Sequence, residues 1–136
     1  MNVMRVMIDT NILISIFLFP SPVMQKLVEA LTIQHTIVLP SYVIDELKRT
    51  IKRKFPGKYQ MLDAFLLELP YEYTYTAEKI DINKYPYIRD KKDLPVLVSA
   101  IAEDVNILIT GDNDFVDIDI EKPEILTPAQ FIAKYC

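Results

Sequence analysis

The apolar positions of this chain follow two rhythms that alternate along it. Short unbroken runs are bounded by polar or turn residues: Arg5-Val-Met-Ile8, Thr36-Ile-Val-Leu39 and Val105-Asn-Ile-Leu-Ile-Thr110. Runs of this length, rich in β-branched side chains, read as strands buried on both faces of a parallel sheet. Glu124-Ile-Leu126 is a shorter strand of the same kind. Tyr71-Glu-Tyr-Thr-Tyr75 alternates, so its tyrosines share one face, with half-buried packing expected and base stacking as the alternative.

Between the strands the spacing becomes helical. Ile12 to Phe19 forms a short buried helix that Pro20-Ser-Pro22 ends. Ser21 caps the next helix, with Pro22 in its first turn and Val23, Leu27, Val28 and Leu31 facing inward. Ser41 caps a third, Tyr42 to about Arg53, whose apolar stripe is Val43, Leu47, Thr50 and Ile51. A fourth runs from Tyr59 to Leu69. Its apolar set (Met61, Leu62, Phe65, Leu66, Leu69) is wider than one stripe and leaves room for an oligomer contact. A fifth starts near Asp93 and reaches about Glu103, and a sixth, Ala129 to Tyr135, follows Thr127-Pro128. Residues up to Tyr87 before the fifth helix read as a loop with a helical turn. Strands alternating with helices predict an α/β fold with a parallel central sheet, in one domain over residues 1–136.

What the strands share is how they end. The first stops at Asp9, followed by Thr10 and Asn11, short polar groups able to fix the turn and orient that carboxylate. The strand over 105–110 stops at Gly111-Asp112-Asn113-Asp114, with Gly111 read as permitting a sharp turn. Glu46 falls at the border of the third helix's apolar stripe, one turn beyond the second strand, while Asp45 points to solvent. Asp90 and Asp93 open the fifth helix. Each acid also has a plainer reading: a turn or cap for Asp9, a surface salt bridge for Glu46, caps worth about 1 kcal/mol for Asp90 and Asp93, a solvated turn for one of the last pair. Recurrence is the argument against those readings, because ligands of open α/β sheets sit at the carboxyl ends of the strands.

Composition narrows the chemistry. The chain is 51% hydrophobic and 25% charged, as in a soluble globular protein, and no apolar run is long enough to span a bilayer. The 19 acids outnumber the 15 Lys and Arg, giving a net charge of −4. With Gly57 and Gly111 alone, no glycine-rich phosphate cradle can be built. A lone Cys136 leaves no disulfide framework or cysteine cluster and fits a reducing cytoplasm. The sole histidine, His35, reads as a solvated loop residue. Carboxylates are left to do the chemistry. Lys48, Arg49, Lys52, Arg53, Lys54 and Lys58 put six bases in eleven residues, either a solvated helix face or a local contact for a phosphate backbone.

If the strands are parallel, Asp9, Glu46, Asp93 and Asp112 converge at one sheet edge. Such a group cannot stay fully ionised without a partner, and oxygen-only ligands favour Mg²⁺ or Mn²⁺. That combination suits water attack on a phosphodiester, through one ion or two roughly 4 Å apart.

These residues resemble the PIN-domain family, in its bacterial and archaeal branch of toxin components of toxin–antitoxin pairs. The matching pieces are Ile8-Asp-Thr-Asn11, Glu46 within Ser41-Tyr-Val-Ile-Asp-Glu-Leu47, Asp93-Leu-Pro-Val-Leu-Val-Ser-Ala100 and Ile109-Thr-Gly-Asp112-Asn-Asp-Phe115, with Ile125 to Ile132 similar to the C-terminal segment. The resemblance implies a three-layer α/β/α fold with a central parallel sheet in the order 3-2-1-4-5, and a Mg²⁺- or Mn²⁺-dependent ribonuclease. It gives catalysis and metal ligation to Asp9, Glu46, Asp93 and Asp112, with Asp114 as an auxiliary acid. Thr10, Asn11 and Thr110 are then supporting polar groups, and Lys48, Lys52, Arg53 and Lys54 the RNA contact. Asp90 is an extra acid without an assigned role. A small antitoxin and a homodimer are the implied partners. A catalytically degenerate PIN fold acting as a nucleic-acid-binding or interaction module is the alternative. A phosphatase of the haloacid dehalogenase type needs Asp-x-Asp, where this chain has Asn11, and a receiver-like domain needs paired acids and a late lysine that are not evident.

Overall fold

The structure is a computed structural model that describes residues 3–115 and 117–136. Its centre is a five-stranded, all-parallel sheet: β1 (Arg5–Ile8), β2 (Thr36–Pro40), β3 (Tyr71–Thr74), β4 (Ile107–Ile109) and β5 (Glu124–Leu126), in the order β3-β2-β1-β4-β5. Among the described residues six α-helices flank it: α1 (Thr10–Leu18), α2 (Pro22–Gln34), α3 (Ser41–Lys54), α4 (Tyr59–Glu68), α5 (Leu94–Ala102) and α6 (Pro128–Tyr135). Both the parallel sheet and its order agree with the expectation.

Beyond the first residues of β1 and β2, Arg5 and Thr36, the middle strands are apolar because both faces are covered. Val6, Met7, Ile8, Ile37, Val38, Leu39, Ile107, Leu108 and Ile109 are all buried. Register fixes where the strands end: Ile8 pairs with Ile109, and Ile109 with Leu126, so Asp9 and Thr110 leave the sheet side by side. Asp9 N–H still donates to Ile109 O at 3.0 Å, and Thr110 N–H to Leu126 O at 3.0 Å. The order reverses at β1, whose neighbours β2 and β4 lie on opposite sides. Asp9 therefore sits at the switch point of the sheet, where such folds bind ligands.

Helix starts follow local chemistry in part. Ser21 accepts Met24 N–H at 3.2 Å with Pro22 in the first turn, as expected. Thr127 and Gln130 form a reciprocal capping box on α6. Ser41 does not cap α3: it is that helix's first residue, after Pro40, and its Oγ accepts Thr76 N–H at 2.9 Å instead. Thr76 Oγ1 in turn accepts Tyr42 N–H at 3.2 Å, so the start of α3 is satisfied by a residue 34 positions away.

Four further expectations are corrected. His35 is not a solvated loop residue: its Nδ1 accepts Met4 N–H at 3.1 Å, its Nε2 is buried without a partner, and its ring meets Phe131 edge-on at 6.0 Å. Val23 lies outside the inner face of α2, 45% exposed, because Leu27, Ala30 and Leu31 set the buried side. The tyrosines of β3 do not share half-buried packing. Tyr71 is half-buried, Tyr73 is exposed and Thr74 is the buried residue, because β3 is an edge strand. Gly111 has no left-handed backbone, and a Cβ placed there would make an ordinary 3.8 Å contact with Ile12 Cδ1, so the turn does not require glycine. Among the described residues, no single helix is long and apolar enough to cross a membrane.

Candidate active site

Asp9 ends β1 and caps α1 at once. Its Oδ1 accepts Thr10 N–H at 2.7 Å and its Oδ2 accepts Thr110 Oγ1–H at 2.8 Å. The residue is 5% exposed. Burial raises its pKa from the usual carboxylate range. The Thr110 and Thr10 bonds oppose that rise, and the negative charges of Glu46 and Asp112 add to it. Each carboxylate oxygen has a second lone pair, so both remain able to take a further ligand.

Thr110 connects this acid to the next. Its hydroxyl donates to Asp9 and accepts Asp112 N–H at 3.1 Å, and Asp112 Oδ1 accepts Asp114 N–H at 2.8 Å. One buried threonine thereby orders the end of β4 against the end of β1. Of the other two supporting residues, Thr10 acts through its backbone, and its hydroxyl is buried with no partner. Asn11 is exposed, and its carbonyl accepts Ser15 Oγ–H at 3.1 Å; no side-chain bond from it orients Asp9.

Asp93 comes from the other side, at the turn Lys91–Asp93 that leads into α5. Asp90 caps that turn, accepting Lys92 N–H at 3.0 Å, whereas Asp93 makes no capping bond. Its Oδ2 is buried and lacks a donor. Burial first, then a shared hydrogen bond with Asp112 and the charges of Asp112, Asp9 and Asp90, push Asp93 up to about 8. A proton on Asp93 supplies the donor that the anion cannot. Glu46 is half-buried on α3 and Asp45 exposed, as the helical phase predicted. Tyr42 closes this side: its hydroxyl donates to Lys92 O at 3.0 Å. Its pKa is raised by burial, with Glu46, Asp93 and Asp9 adding and Arg49 opposing.

Of the four sequence-derived acids, Asp9 thus lies within electrostatic reach of Glu46, Asp93 and Asp112, and Asp93 of Asp112. The tightest grouping is different. Asp90, Asp93 and Asp114 each offer an oxygen within 4.8 Å of the others, which brings in Asp90, the acid without a role in the sequence, and Asp114, the auxiliary one. Arg89 also reaches the cluster, its Nε donating to Asp114 Oδ1 at 2.5 Å. Neither position carries a helical or strand signal, since both belong to irregular turns. The basic residues Lys52, Arg53, Lys54 and Lys58 are exposed at the end of α3 and beyond, with Lys48 half-buried.

The family described as the PIN domain matches residues 5–114. This chain belongs to the PIN-domain family. The PIN domain described here is also similar to a chain in the crystal structure of VapBC2 from Rickettsia felis bound to a DNA fragment from their promoter. Identity is 25% and the TM-score 0.68, over 90% of this chain and 97% of that one. No curated protein matches it. The donor set fits a hard divalent cation: the ligating atoms are all carboxylate oxygens, and among the described residues no N–H or O–H donor reaches the buried Asp93 Oδ2.

Proposed function

We propose that this PIN domain is a divalent-metal-dependent ribonuclease and the toxin of a toxin–antitoxin pair. The observation that carries the reading is Asp93, held near neutrality among other carboxylates with one oxygen unpartnered. Family membership and the likeness to a chain of VapBC2 support it.

In this reading Asp9, Glu46, Asp93 and Asp112 hold Mg²⁺ or Mn²⁺, with Asp114 as an auxiliary acid. When bound, the cation would activate water and neutralise charge developing on the phosphate. Thr110 and the Thr10 N–H keep the Asp9 carboxylate in one orientation, which limits the reorganisation that binding requires. Holding a cation would require Asp93 as the carboxylate, so its proton would have to leave. The only histidine lies at the opposite end of the sheet against Met4, which leaves proton transfer to the carboxylates. Lys48, Lys52, Arg53 and Lys54 meet the RNA backbone locally, offsetting the net negative charge. The partners that go with this reading are a small antitoxin and a second copy of the chain.

Incubation with RNA and Mn²⁺, with and without chelator, tests the activity. Cleavage lost on chelation and in Asp9→Asn is the expected result. RNA that is bound but never cut would favour the binding-module alternative. Co-purification with a small protein encoded beside this chain tests the antitoxin.

A further inference from the structure

Tyr87 is 85% exposed, and it forms no ring pair among the described residues. Tyr75 is equally bare at 84%, but its ring packs edge-on against Tyr73 at 5.2 Å. The position of Tyr87 is what distinguishes it. It lines a cleft of about 210 Å³ whose wall also includes Arg89, Asn113 and Asp114. Asp114 belongs to the close carboxylate trio and follows Asp112 by two residues, so an aromatic ring stands one side chain from the acid cluster.

We propose that this cleft is a nucleotide subsite that takes one unpaired RNA base beside the scissile phosphate, an inference that rests on the ribonuclease reading. A neutral base can enter next to carboxylates that repel phosphate, and a tyrosine face stacks any base. Asn113 offers an amide for a base edge. Arg89 then serves the adjoining phosphate: its ion pair with Asp114 engages Nε, and a guanidinium has five donors in a fork that matches phosphate. The cleft is smaller than the ~300 Å³ at which drug-sized pockets begin, which suits a single base. Stacking needs a free face, so a base paired within a continuous duplex cannot enter the subsite.

The test uses a fluorescein-labelled single-stranded RNA oligonucleotide and the Asp9→Asn chain, so that bound RNA stays intact. Anisotropy is read with Tyr87→Ala, Tyr87→Phe and a scan of single abasic positions. Stacking of one base predicts about a tenfold weaker affinity for Tyr87→Ala, little change for Tyr87→Phe, and one abasic position at which the variants become equal. The same strand annealed to its complement should bind without dependence on Tyr87. Equal affinity of Tyr87→Ala and its parent overturns the subsite, as does an Ala effect that persists at every abasic position. The native chain's cleavage with Mn²⁺ separates the two ideas. RNA cut normally with no Tyr87 effect removes the subsite alone, and RNA left uncut with the stacking pattern intact removes the ribonuclease reading alone.

Discussion

At the amino ends of the strands, Arg5 pairs with Glu72 at 2.8 Å and Glu103 at 3.5 Å, Lys122 pairs with Asp104 at 3.0 Å, and Lys134 pairs with Glu124. At the carboxyl ends, Asp9, Asp93 and Asp112 face one another, and among the described residues the ion pair that borders the group is Arg89 Nε with Asp114. The titrations diverge accordingly. Lys134 and Tyr135 hold Glu124 below the usual carboxylate range, while burial and its acidic neighbours push Asp93 up to about 8. Charges of the same kind are paired at one end of the sheet and left uncompensated at the other. An uncompensated cluster costs stability, so the fold alone gives no reason for it.

Four expected effects would break or sharpen that contrast. The largest effect belongs to the acids themselves. Asp9→Asn and Glu46→Gln should each lower RNA cleavage by about 10²-fold or more, the scale on which loss of one preorganised electrostatic group acts, with circular dichroism unchanged. Asp45→Asn, one residue away but exposed, should leave the rate alone; equal losses at 45 and 46 would mean that the helical phase of α3 does not separate their roles.

Thr110→Val comes next. It removes the hydroxyl that joins Asp9 to Asp112, and buried groups left without partners cost about 1–3 kcal/mol. Mn²⁺ affinity by calorimetry should fall about 10- to 100-fold, as for other residues that hold a ligand in place. An unchanged affinity would show that Asp9 orients itself.

The third effect is a pH dependence without metal. From the ordinary 3.8 to about 8, the folded state keeps a proton on Asp93 that the unfolded chain has lost. Unfolding therefore releases a proton, and Asp93's contribution to stability falls as pH rises through that window. Asp9 acts in the same direction, its pKa also being raised. Thermal melting with chelator should show the decline, Asp93→Asn should flatten it, and Mn²⁺ should offset it. A melting temperature that rose steadily from pH 4 to 8 in wild type, with Asp93→Asn no different, would contradict the crowding.

The smallest effect is expected where charges are paired. Glu72→Gln breaks a partly exposed ion pair and should change stability by about 1 kcal/mol or less, with RNA cleavage unaffected.

Much of the fold was legible in advance because its signals are local. β1 and β2 after their first residues, and β4, are continuously apolar since both faces are covered, and Ser21-Pro22 and Thr127-Pro128 start helices with groups three residues apart. The phase of α3, fixed by 3.6 residues per turn, separated Glu46 from Asp45 correctly. Legibility failed where a distant group won. Thr76 satisfies the start of α3 that Ser41 was expected to cap, and Met4 recruits a histidine that looked like a loop residue.

The sequence by itself determined which acids stand at strand ends, because strand length and helical period place them relative to their own element. Only the tertiary structure decided how those ends meet: that Thr110 bridges Asp9 and Asp112, that Asp90 and Asp114 crowd Asp93, and that Arg89 and Tyr87 border the group. Those contacts join residues up to 101 positions apart, across irregular turns with no period. Periodicity orients a side chain within its own element, and it is packing between elements that sets which charges share a low-dielectric space and so shifts their protons.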